Sequence, residues 1–153
     1  MSAAEQSWFS DFADQLQAFA QGLRSDLVDF DRDAENVWLR VKAPTKQHLM
    51  LTVAASPGDI EYSFGPLWTE IAKPNESVGR EVLACCDAVK AGGVRLVRSR
   101  LTGLRFHIYR LRTRGVNRFQ RDSDYSLLHY FRQRPRRVSI ARVPPLPTLN
   151  TGY

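Results

Sequence analysis

Cysteine is scarce in this chain, and lysine is nearly missing from half of it. The two cysteines, Cys85 and Cys86, are adjacent. Neighbours on a helix point about 100° apart and do not easily bridge each other. No disulfide framework is therefore expected, and two thiols packing as small hydrophobes suit a reducing cytosol. No apolar run approaches the ~20 residues of a membrane helix. Glu5, Asp11 and Asp14 interrupt what would be the apolar stretch of a secretory signal, and no basic segment precedes them. The expectation is a soluble, cytoplasmic protein with no membrane partner.

Metal and catalytic signatures are missing too. His48, His107 and His129 are far apart, and none has a His, Cys or Asp at zinc-ligand spacing. The run Asp29, Asp31, Asp33, Glu35 invites a calcium reading. Taking Asp29 as the first ligand, however, puts Ala34 where the loop needs glycine and Arg40 where the bidentate glutamate belongs. The run is read as a solvated acidic linker between a helix and a strand. Gly92-Gly93 leaves a predicted helix instead of entering one, which excludes a phosphate loop there, and no serine sits in a nucleophile elbow. Glu70-Ile71-Ala72-Lys73 matches a nuclease carboxylate–lysine pattern only loosely. The expectation is a non-catalytic protein with no metal and no cofactor.

What the chain does carry is a split of charge. Residues 1–76 hold six Lys/Arg against twelve Asp/Glu, and residues 77–153 hold sixteen against four, giving the overall +6. In the basic half Lys90 is the single lysine; fourteen arginines lie between Arg95 and Arg142, opposed only by Asp122 and Asp124. Arginine is a planar fork of donors suited to carboxylate, phosphate and aromatic partners, so the bias points to binding.

Hydrophobic periodicity orders the elements. Trp8, Phe12, Leu16, Phe19, Leu23, Leu27 and Phe30 recur at three and four, predicting a helix over 4–30 with a bend or break at Gly22. Alternation then predicts strands at 37–41, 48–54 and 60–64, joined as an antiparallel meander that Gly65-Pro66 ends. Asn75 is placed to cap a second helix with Val78, Val82, Cys85, Cys86 and Val89 on its apolar side, stopped by Gly92-Gly93. Strands at 94–101 and 104–112 follow, around a Thr102-Gly103 turn. The predicted fold is α+β, an antiparallel sheet of about five strands packed by two helices in the order α-β-β-β-α-β-β. It forms a single domain over 1–115. An irregular Arg/Pro-rich tail over 116–153 is either partly ordered, wrapping the domain, or disordered. Within that tail, Pro144-Pro145-Leu146-Pro147 looks like a ligand for proline-recognising domains.

Strand parity defines a candidate surface. If the helices cover Val37/Leu39/Val41, Leu49/Leu51/Val53, Ile60/Tyr62/Phe64 and Leu104/Phe106/Ile108, the other face carries Trp38, Arg40, His48, Met50, Glu61, Arg105, His107 and Tyr109. Such residues are typical of protein interfaces; equally, Tyr125, Leu128 and Phe131 of the tail could cover them. Arg98 and Arg100, with Arg110, Arg112 and Arg114, fall at alternate positions and predict a one-sided stripe on the last hairpin. Beside Tyr109 and Phe119 that stripe could track phosphates and stack bases. No aromatic RNP strand, GXXG clamp or zinc knuckle supports a specific RNA fold, and the acidic half is an alternative internal partner for the arginines.

The succession of helix, meander, helix and hairpin resembles small bacterial immunity proteins that neutralise polymorphic or contact-dependent toxins. The residues that carry the likeness are Tyr62-Ser63-Phe64 leading to Trp68, the helix through Val89, and Gly92-Gly93-Val94-Arg95 entering the arginine-bearing hairpin. It covers roughly residues 35–112. This chain's basic second half departs from the acidic character of many such proteins. The resemblance implies a non-catalytic protein that binds another protein, a toxin domain, and occludes its active site. The candidate partner-binding residues are Trp38, Arg40, Arg98, Arg100, Arg105, His107, Tyr109, Arg110 and Arg112, with nucleic acid as the alternative target.

Overall fold

The computed structural model describes residues 3–65, 67–72, 75–100, 107–113, 116–121 and 136–149. Helix α1 spans Ala3–Gln21. It buries Phe9, Phe12, Ala13, Leu16, Phe19 and Ala20, the three-and-four spacing that defines its apolar stripe. The helix ends well before the expected residue 30. Gly22 N–H donates to the carbonyls of Ala18 and Phe19, Leu23 bridges to Thr148, and a single 3₁₀ turn over Ser25–Leu27 leads into strand β1, Val28–Arg32. Leu23 and Leu27 keep the helical spacing and are buried, but from a bridge and a turn.

Strands β2 (Val37–Val41), β3 (Leu51–Ala55), β4 (Ile60–Phe64) and β5 (Leu67–Ala72) complete a five-stranded antiparallel sheet in chain order. The meander is therefore longer than expected at both ends. The acidic run is no linker: Asp29 and Asp31 belong to β1, and Asp33 and Glu35 to the β1–β2 turn. Gly65, at φ 72°, does not end the meander; it opens the turn after which Leu67 pairs with Phe64. Alternate residues of β2, β3 and β4 are buried, Val37/Leu39/Val41, Leu51/Val53/Ala55 and Ile60/Tyr62/Phe64, and they share one cluster with the apolar side of α1. Burying each of the valine, leucine, isoleucine and phenylalanine side chains among them is worth about 1.5–3 kcal/mol.

Helix α2 spans Glu76–Lys90, and the Asn75 side chain accepts from Val78 N–H at 2.9 Å as its N-cap. Its buried side is Gly79, Val82, Cys85, Cys86 and Val89, packed against α1, where Gly79 lies under Phe12 and Trp8. Both cysteines are buried and neither is in a disulfide. At the C-terminus Gly92 takes φ 70°, and Gly92 and Gly93 N–H donate to Val89 and Ala88 carbonyls.

A second antiparallel sheet follows, with strand order β8-β7-β6-β9: β6 Arg95–Arg100, β7 His107–Thr113, β8 Val116–Arg121 and β9 Arg136–Arg142. Instead of about five strands in one sheet, the described residues form nine in two sheets, with two helices. β8 and β9 come from the segment expected to be irregular. Thr102-Gly103, Leu104, Phe106, Arg114, Tyr125, Leu128, His129 and Phe131 lie outside the described residues.

After β9 the chain runs back over the first sheet's side of the molecule. Val143 and Leu146 are buried in the common core. Val143 N–H donates to Val94 O at 3.0 Å, Leu146 N–H to Lys90 O at 3.1 Å, and Arg24 N–H to Pro147 O at 3.3 Å. A Cβ on Gly92 would come within 2.9 Å of the Pro145 ring. The Pro-Pro-Leu-Pro motif is thus used inside the fold. His48, expected on a strand, sits in the β2–β3 loop, where its ring lies 2.8 Å from Thr45 Oγ1 and 3.2 Å from the Pro145 carbonyl.

Candidate partner-binding face

The face of the five-stranded sheet turned away from the core is built by parity. With Val37, Leu39 and Val41 turned to the core, Trp38 and Arg40 must face outward, and both are exposed. Register extends them into two rows across four strands. One is Asp31, Trp38, Ala54, Glu61; the other is Asp29, Arg40, Thr52, Ser63. Trp38 keeps 39% of its surface exposed, and Met50, just before β3, keeps 36%. The small side chains Ala54, Thr52 and Ser63 leave a shallow floor beside Trp38 and Arg40; Thr52 and Ser63 hydroxyls hydrogen-bond to each other.

Charges on this face are only partly neutralised. Asp29 lies 3.4 Å from Lys42, while Arg32, at register with Val37 on the opposite face, reaches Asp14 and Gln17 of α1. Among the described residues Arg40 and Glu61 have no ion pair. The β1–β2 and β3–β4 turns lie at the Asp31/Glu61 end of the sheet and extend the acidic rim with Asp33, Glu35 and Asp59. Asp33 Oδ1 accepts from Glu35 and Asn36 N–H, both at 2.7 Å. These bonds hold its carboxyl below the usual range, so it stays charged.

The sequence-predicted residues divide between the two sheets. Trp38 and Arg40 stand on β2, while Arg98 and Arg100 stand on β6 and His107, Tyr109, Arg110 and Arg112 on β7. Arg105 lies outside the described residues. His107 and Tyr109 therefore do not extend the Trp38 face. Nor do the hairpin arginines make a one-sided stripe. Arg98 pairs with Tyr109 and Arg100 with His107, whereas Arg110 pairs with Val97 and Arg112 with Arg95, which puts the two sets on opposite faces. The reading missed Asp29 and Asp31 as strand residues beside Trp38. The alternation of Val28 and Phe30 with these acids was the signal that could have found them.

No protein-family model matches the chain, and neither curated proteins nor solved structures give a significant match. Among the described residues no helix is long and apolar enough to cross a membrane, and no group of three or more His, Cys, Asp or Glu is placed to hold a metal ion.

Proposed function

We propose that this is a non-catalytic binding protein of the bacterial cytoplasm that recognises another protein through the Trp38 face and holds it inactive, as toxin-neutralising immunity proteins do. The observation that carries the reading is an exposed tryptophan on β2, paired in register with Asp31 on one side, in the same row as Glu61 across Ala54 on the other, and followed two residues on by Arg40. A rigid aromatic with forked donors nearby is the composition on which binding energy concentrates. The indole presents a π-face to a cationic side chain, and the acidic rim favours a cationic partner surface. Enzymes that act on nucleic acids offer such surfaces in their substrate clefts, so occlusion of a basic cleft is the mechanism. Arg40 supplies the counter-contact to a carboxylate on the partner.

The test is capture from the native host with the wild-type chain and with Trp38→Ala. The reading requires one protein recovered at equal stoichiometry by the wild type and lost with the variant. It also requires that the purified chain inhibit that protein's own activity. Recovery of no stoichiometric partner, or of one equally retained by Trp38→Ala, would overturn it.

A further inference from the structure

The second sheet has a charge composition that the Trp38 face does not explain. Its four strands carry ten arginines and no aspartate or glutamate: Arg95, Arg98 and Arg100 on β6, Arg110 and Arg112 on β7, Arg118 and Arg121 on β8, and Arg136, Arg137 and Arg142 on β9. Register divides them unevenly. One face holds six of these positions, Arg95, Arg110, Arg112, Arg121, Arg137 and Arg142, and the other holds four. On the six-arginine face Arg112, Arg95 and Arg142 are direct cross-strand neighbours, forming one row over β7, β6 and β9. Like charges directly opposite each other destabilise a sheet, and this row has no carboxylate at any paired position to relieve it. Phe119 is at register with Arg110 on the same face.

We propose that this six-arginine face binds the phosphodiester backbone of single-stranded nucleic acid without regard to sequence. Folded protein surfaces intersperse both signs of charge, whereas a phosphodiester backbone is anionic at every unit; a sheet with no carboxylate matches the second. Arginines two residues apart on a strand, as at Arg110 and Arg112, repeat about every 7 Å. Strands add further rows at about 4.8 Å, so the positive charge forms a patch instead of a point. An aromatic position within such a patch is the usual stacking element of single-strand surfaces. This surface belongs to a different sheet from the Trp38 face, and the two readings stand or fall separately.

The experiment is fluorescence anisotropy with a labelled 20-nucleotide single-stranded DNA of mixed sequence, titrated with the whole protein at 50–200 mM NaCl. If all six positions engage phosphates, log affinity falls against log salt with a slope near −4, a loss of about 300-fold over that range. The triple variant Arg95→Gln/Arg112→Gln/Arg142→Gln should reduce the slope by about 2. Removing like charges from a paired row should not cost folding, and circular dichroism checks that. Arg98→Gln/Arg118→Gln on the opposite face, and Trp38→Ala, should leave the slope unchanged. No binding at 50 mM salt, or a triple variant with the wild-type slope, would overturn the proposal. So would displacement of the DNA by polyglutamate at equal charge, which would assign the face to acidic protein chains.

Discussion

Gly92 is the residue on which the C-terminal segment depends most visibly. Its φ of 70° lies where a side chain costs about 1–2 kcal/mol, and a Cβ there would also meet the Pro145 ring. Gly92→Ala should lower stability in urea unfolding by at least that amount and speed hydrogen exchange at the Leu146 amide; an unchanged midpoint would contradict the packing. Cys86 makes a prediction in pH. Burial pushes its thiol well above the ordinary value, with Cys85 and Asp87 adding to the effect. The native state therefore keeps the proton after the unfolded chain has lost it. Stability is unaffected below the unfolded thiol value near 8.5 and falls as pH rises through it. Cys86→Ala should flatten that alkaline decline in a pH series of thermal melts, and thiol reagents should label neither cysteine without unfolding. At this scale much was legible: the Asn75 cap, the buried cysteines and the outward Trp38 and Arg40 all follow from local pattern. The role of His48 was not, because its partner at Pro145 is 97 residues away in sequence.

Elements were legible where their period was unambiguous and lost where two periods coincide. Leu23, Leu27 and Phe30 continue the spacing of α1, so β1 reads as helix until Val28 and Phe30 are set against their partners Val41 and Leu39. Aspartate is poor in strands by propensity, and its two occurrences in β1 hid the strand further. β5, Leu67–Ala72, has no clean alternation, and pairing with β4 decides it. β9 is legible only through β6, whose paired residues lie 36 to 47 positions earlier. The element-scale tests concern the two ends of α2. Asn75→Ala should cost about 1 kcal/mol by leaving the Val78 amide uncapped. Leu146→Ala, which empties a buried site beside the Lys90 carbonyl, should cost about 2–5 kcal/mol. Both are read from denaturant midpoints.

At the scale of the whole molecule the split of charge becomes a split between sheets. Strands β1–β5 carry Asp29, Asp31, Glu61 and Glu70 with Arg32 and Arg40, while β6–β9 carry arginine and no acid. The acidic half does not neutralise the arginines strand by strand, since no strand of one sheet pairs with the other. Multivalent anions should therefore raise the melting temperature beyond sodium chloride of equal ionic strength; identical shifts would show the arginines already compensated. The sign pattern was visible in the sequence, but its division into two surfaces needed the register. The Trp38 face is what the proposed function rests on, and calorimetric titration of the captured partner against wild type and Trp38→Ala examines it most directly. An anchoring tryptophan predicts a loss of about 2 kcal/mol or more, roughly 30-fold in affinity, with the fold intact; affinities within about twofold, below 0.5 kcal/mol, would contradict it.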